Sequence, residues 1–248
     1  VQTCAFRSAT TQYNPVQAVV YDFQASRSGQ HAEDFLKGWQ GHLICDDYSG
    51  YKARFQSGQV IEVGCMAHAR RKFYELHVTG KSQIAEQALR MIQQLYTIEA
   101  KLKETADCTV EYRLQRRQQN SQPIMQQLHE WLKAHQMKVP PSSSTAKAIN
   151  YSLKRWKALC YYLDDGNLPI DNNWVENQMR PWALGRKNWL FAGSLRSGQR
   201  AANIMTLIQS AKLNGLDPYA YLSDILKKLP TQKMSQIEEL LPHKWKPS

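Results

Sequence analysis

No apolar run in this 248-residue chain approaches the roughly 20 residues that a membrane-spanning helix requires, and its opening lacks the basic-then-apolar pattern of a signal peptide. A cytoplasmic protein is the resulting expectation. Cysteine is sparse: Cys4, Cys45, Cys65, Cys108 and Cys160 are odd in number, widely scattered and without a C-x-x-C pair. That argues against a disulfide framework and for reduced thiols. Acidic residues number 21 against 32 Lys plus Arg, for a formal net charge of +11 and an isoelectric point near 9.4. Such an excess of base favours an anionic partner, most commonly nucleic acid, the alternative being a basic soluble protein whose charge governs solubility alone. Self-similarity at a period of about 20 to 50 residues is absent, which sets repeat architectures aside. What remains, with 42% hydrophobic and 10% aromatic residues, is a globular chain long enough to bury a sizeable core.

The first 80 residues alternate strand and helix signals. Thr3 to Phe6 and residues 17–23 (QAVVYDF) read as an antiparallel hairpin. A helix opening at Ser28 or Gly29 carries Ala32, Phe35, Leu36 and Trp39 near the 3.6 period, with Gly38 and Gly41 at its end. His42 to Asp46 (HLICD) is a short buried strand finishing in two acids, Asp46 and Asp47, and residues 60–63 (VIEV) form another, running into a helix with Cys65, His68, Arg70 and Arg71. From about Ser82 the pattern is helical only. Ile84, Ala88, Met91, Ile92, Leu95, Ile98 and Leu102 form one apolar stripe, and Ile149, Leu153, Trp156, Leu159, Cys160 and Leu163 another. Between them lie a Gln-rich basic piece around Arg113 to Gln127 and the linker-like PPSSS at Pro140 to Ser144, so residues 82–166 read as a helical insertion containing a loop. Asp217 as N-cap and Pro218 at the first helical position start a final helix through Leu229.

The segment Asp171 to Ser194 carries the densest chemistry. At helical spacing Asn172, Asn173, Glu176 and Arg180 share one face, centred on the acid. Asp171 reads as the N-cap, placing Glu176 in the second turn, and Pro181 as the end or kink of the helix; Arg186 and Lys187 follow. A carboxylate beside such bases suits a metal-dependent enzyme acting on a polyanion, the acid for the cation and the bases for phosphates. The alternative is an exposed capped helix with solvated charges. Cys65-x-x-His68 has half of a zinc spacing, and no second pair completes it. Arg70, Arg71 and Lys72 read as DNA-backbone contacts or as a solvated basic face; Trp174 and Trp189 read as core or as base-stacking platforms.

The strings CDDYSGY (45–51), GCMAHARRKF (64–73), DNNWVENQMRPWALGRKNWLFAGS (171–194), AKLNGLDPYAYL (211–222) and ELLPHKW (239–245), in that order, closely resemble transposases of the insertion sequence 66 family. The resemblance implies an α/β (mixed) ribonuclease H-like fold, in which an Asp, Asp, Glu triad binds two Mg²⁺ ions, with Mn²⁺ able to substitute, to cut and rejoin DNA at element ends. Asp46 matches the second acid and Glu176 the third, both as metal ligands. A register shift of one residue along the strand would exchange Asp46 for Asp47. Arg70, Arg71, Lys72, Arg180, Arg186 and Lys187 then contact DNA, while His68 and Asn173 support the site.

The expected organisation is residues 1–80 as the first part of the ribonuclease H-like domain, 81–166 as an all-α insertion, 167–215 as the second part with the Glu helix, and 216–248 as a C-terminal helical tail. The family's first catalytic Asp belongs to a strand upstream of the opening hairpin, and its zinc-binding N-terminal regions are not matched. The chain is therefore expected to be a C-terminal catalytic portion. Expected partners are DNA, as transposon ends and target, accessory transposition proteins, and further copies of the chain in a synaptic complex. An inactive DNA-binding remnant and a structure-selective nuclease of the same fold are the competing readings.

Overall fold

The computed structural model describes residues 2–6, 18–189 and 192–246, and the backbone alone at 2–6, 186, 187 and 189. In chain order the strands are β1 (Gln2–Phe6), β2 (Val20–Gln24), β3 (Gly41–Cys45) and β4 (Val60–Gly64). The helices are α1 (Gly29–Phe35), α2 (Lys52–Gln56), α3 (Met66–Gly80), α4 (Gln83–Glu104), α5 (Val110–Arg116), α6 (Gln122–Gln136), α7 (Ser144–Lys154), α8 (Trp156–Cys160), α9 (Asn173–Trp189), α10 (Leu195–Leu213) and α11 (Pro218–Lys228). A π-helical turn, Arg117–Ser121, joins α5 to α6. The chain is thus helix-rich with a small parallel sheet, in keeping with the α/β class. No described helix is long and apolar enough to cross a membrane. Two compact units are present: Leu36–Asn172, and Val1–Phe35 together with Asn173–Ser248.

In the Leu36–Asn172 unit, β3 and β4 pair in parallel, with Gly41 opposite Val60 and Cys45 opposite Gly64. Strands paired this way are normally covered on their faces, and Leu43, Cys45, Val60 and Val63 are accordingly buried. The core continues into the helices through Met66, Ala69 and Phe73 of α3, Ala85, Ala88, Ile92 and Leu95 of α4, and Met125, Leu128 and Leu132 of α6. Their spacing of three and four residues is that of helical stripes, the one along α4 expected from sequence, each large side chain contributing about 1.5–3 kcal/mol on burial. Polar side chains fix the helix starts: Ser82 accepts from the Ala85 amide, Thr109 from Tyr112 and Ser143 from Ala146. The linker-like PPSSS therefore ends in a working N-cap.

The Gln-rich basic piece is helical, running through α5, the π-helical turn and the start of α6. Arg117, at the π-helical turn, is 1% exposed. Its Nε and Nη2 pair with the Glu99 carboxylate at 2.8 and 2.7 Å, while Nη1 donates to the carbonyls of Tyr162, Asp165 and Leu168. The Glu99 carboxylate, 18 residues earlier, makes the burial of this arginine possible.

In the other unit β1 and β2 form the expected antiparallel hairpin, Gln2 opposite Gln24 and Phe6 opposite Val20. The residues joining them lie outside those described. Side chains of α10 satisfy the backbone along β2: Ser210 Oγ accepts from the Val19 amide and donates to its carbonyl, both at 3.1 Å, and Thr206 Oγ1 accepts from the Tyr21 amide at 2.9 Å. Val19, Tyr21, Phe23 and Ala202 form the core there. Gly198 of α10 lies directly beneath the Phe23 ring, where a Cβ would overlap it. Gly198→Ala is therefore expected to lower stability by about 1–3 kcal/mol despite Ala's better helix propensity. Thermal denaturation checks this, and an unchanged or raised midpoint would refute the close contact. At the C-terminus, Asp217 caps α11 as expected, the Tyr221 hydroxyl donates to the Leu240 carbonyl, and Trp245 Nε1 donates to Asp224.

Candidate metal and nucleic-acid site

The residues singled out from sequence fall into two groups, one in each unit. In the Leu36–Asn172 unit, β3 ends at Cys45 and the chain turns through Asp46 and Asp47. Both acids are exposed, with different surroundings. The Asp47 carboxylate pairs with Arg155 Nη1 at 2.5 Å, and its backbone sits at φ 82°, in the left-handed region. The Asp46 carboxylate has no hydrogen bond or ion pair among the described residues, while its carbonyl accepts from the Tyr151 hydroxyl at 3.4 Å. Arg155, at the junction of α7 and α8, also pairs with Glu62 of β4 at 2.7 Å and donates to the Cys45 carbonyl at 3.4 Å. The Tyr151 ring takes Lys72 Nζ at 4.5 Å and the Arg155 guanidinium at 5.6 Å from its centre. Burial pushes the Tyr151 hydroxyl up to about 12, Arg155 opposing and Asp47 and Asp46 reinforcing the shift, so it stays a protonated donor at neutral pH.

Helix α3 follows β4 directly. Its core side is Met66, Ala69 and Phe73, which turns His68, Arg71 and Lys72, at i, i+3 and i+4, together to another side. Arg71 and Lys72 are exposed, and half-buried Arg70 stacks on Tyr74 at 5.5 Å. Cys65, just before α3, is buried. Its thiol donates to Asn172 Oδ1 at 2.9 Å and its sulfur accepts the Asn172 amide at 3.4 Å. Burial pushes this thiol up to about 11, the Asn172 amide opposing.

The Met66 amide donates to Ile170, and the Tyr96 hydroxyl donates to Asp171 at 2.8 Å, so residues 170–172 are fastened to α3 and α4. Two expectations about α9 are corrected. The helix begins at Asn173, so Glu176 lies in its first turn rather than its second; just ahead of it the Asp171 carboxylate accepts from Tyr96. There the amide dipoles favour a negative charge. Pro181 does not end the helix, which continues to Trp189. Proline removes the amide that would serve the Asn177 carbonyl, and the next carbonyl, Gln178, accepts from the Tyr21 hydroxyl at 2.5 Å.

Tyr21 also meets Trp182 edge-on at 5.8 Å, and Met179 and Trp182 pack on the β2 core. This leaves Asn173, Glu176 and Arg180 on a shared polar face, Asn173 and Arg180 exposed and Glu176 half-buried. The side chains of Arg186, Lys187 and Trp189 lie outside the described residues. Sequence reading missed Arg155, Tyr151 and Glu62 altogether. The available signal was a single arginine interrupting the apolar stripe between Leu153 and Trp156.

Residues 4–200 match the Transposase IS66 family, and residues 206–243 match the IS66 C-terminal element. The chain belongs to the IS66 transposase family. It is 36% identical over 245 residues to the uncharacterized protein y4hP of Sinorhizobium fredii (strain NBRC 101917 / NGR234), a match covering 92% of this chain and 44% of that protein. It is 38% identical over 237 residues to the uncharacterized protein y4jD of the same strain, covering 92% and 46%. The chain thus spans less than half the length of these IS66-type relatives. No solved structure matches. The IS66 match includes the β3 acids, α3 and the whole of α9.

Proposed function

We propose that this IS66-family chain carries the catalytic portion of a DNA transposase, which cuts DNA at element ends and joins the freed 3′-hydroxyl to target DNA. The observation that carries the reading is the family match across residues 4–200, joined to a strand-end carboxylate, Asp46, without an intramolecular partner among the described residues. In this reading residues 1–80 and 167–215 form a ribonuclease H-like domain, 81–166 an insertion within it and 216–248 a C-terminal tail.

Asp46 and Glu176 would hold Mg²⁺, or Mn²⁺ in its place. The fit is chemical: both offer the hard oxygen atoms such cations take, and Asp46 is exposed just beyond the end of β3. When bound, paired divalent ions activate the attacking oxygen and stabilise the leaving one. The rest falls to the protein's own groups. Arg180, Arg186 and Lys187 position phosphates beside Glu176, Arg70, Arg71 and Lys72 neutralise the DNA backbone, and Asn173 and His68 orient neighbouring polar groups. DNA ends, target DNA, accessory transposition proteins and further copies of the chain are the partners.

Two measurements bear on this reading. DNA affinity should fall with salt by about 0.9 in log–log slope for each phosphate neutralised, so a flat response sinks the proposed interface. The full-length protein should nick an end-containing duplex with Mg²⁺ or Mn²⁺. Preference instead for RNA–DNA hybrids or four-way junctions would identify a nuclease of another kind.

A further inference from the structure

The end of β3 holds its exposed acid by an unusual route. Asp47 is one of three described residues other than glycine with positive φ, the others being Lys81, which closes α3, and Asp107. Left-handed backbone is disfavoured for L-residues because Cβ crowds the carbonyl, and Asp tolerates it best when a contact holds it there. The contact here is Arg155, 7% exposed, whose two terminal nitrogens reach Asp47 beyond β3 and Glu62 on β4. The same guanidinium donates to the Cys45 carbonyl, and Tyr151, one helical turn earlier in α7, donates to the Asp46 carbonyl. Asp46 is thus bracketed on both sides by groups from α7 and its end, although its own carboxylate is left open.

We infer that Arg155 is a positioning residue for the Asp46 carboxylate: by holding Asp47 in its left-handed conformation, it fixes the direction in which Asp46 presents its oxygens to a divalent cation. Arg155 touches neither the cation nor DNA in this role. The helices of residues 81–166 thereby set the geometry of a strand that precedes them in sequence. The inference rests on Asp46 being a metal ligand, as proposed above.

The test is a Mn²⁺ titration of the chain followed by electron paramagnetic resonance, with circular dichroism to verify folding. Asp46→Asn should remove a binding site. Arg155→Met should weaken that site about 10- to 100-fold, the range seen when a ligand's supporting partner is removed. Because Arg155→Met leaves Glu62 without its partner and risks unfolding, Asp47 provides the independent route. Asp47→Ala should weaken the site to a similar degree, whereas Asp47→Gly, which adopts positive φ freely, should stay within about threefold of the parent. Asp47→Gly combined with Arg155→Met should recover most of the loss. Equal effects of Ala and Gly at position 47, or unaltered binding in Arg155→Met, would overturn the positioning role while Asp46 remained a ligand. If Asp46→Asn changes nothing, or no site is seen, the assignment of Asp46 fails and this inference with it.

Discussion

Asp46→Asn in the full-length protein is expected to lower Mg²⁺-dependent strand cleavage about a thousandfold, equivalent to about 4 kcal/mol of lost transition-state stabilisation. The fold should be indifferent to the change. Asp46 is exposed, and its side chain makes no hydrogen bond or ion pair among the described residues, so an isosteric amide disturbs nothing the structure depends on. DNA affinity should likewise hold within a factor of about 3, since backbone contacts are assigned to Lys and Arg. Asp47→Asn is the matched control. It loses the ionic component of the Arg155 pair yet keeps a side chain that tolerates left-handed backbone, so it should retain most of the activity. Single-turnover nicking separates the two acids, and an Asp46→Asn protein that cuts within tenfold of the parent contradicts the assignment.

The largest effect on stability is expected at Arg117. Truncation to alanine would strand Glu99, itself 8% exposed, as a buried charge and would leave the carbonyls of Tyr162, Asp165 and Leu168 without this donor. Removing one partner from such a pair costs about 3–5 kcal/mol. At about 2–4 °C per kcal/mol for a chain of this size, the melting point should fall by about 10 °C. Adding Glu99→Leu should recover the ionic part and leave about 1–3 kcal/mol for the carbonyls. A melt of Arg117→Ala within about 1 °C of the parent would show that the buried network contributes little.

The elements legible in the sequence were those whose cause is local. The β1–β2 hairpin, the short strands β3 and β4, the apolar stripe of α4 and the Asp217-Pro218 helix start all follow from strand-type composition, 3.6-residue spacing or capping chemistry, and each is present, while the parallel pairing of β3 with β4 appears only in the fold. The misread features depend on distant partners. Pro181 breaks helices in isolation, yet tertiary packing of Met179 and Trp182 on β2 carries α9 past it. The burial of Arg117 likewise depends on Glu99 and on the carbonyls of Tyr162, Asp165 and Leu168. At the candidate site Asp46 and Glu176 were nominated by resemblance. Arg155 carries no local signature, because its role arises from a contact across 108 residues to Asp47.

Glu176 and Asp46 are the proposed metal ligands for chemistry on DNA, and the most direct test of that role measures binding and cutting together. Full-length Glu176→Gln protein, mixed with an end-containing duplex in Mn²⁺, should bind within about threefold of the parent and show cleavage reduced about a thousandfold, because the substitution removes a ligand oxygen charge and leaves the basic side chains in place. Cleavage near the parental rate with Glu176→Gln would contradict the account.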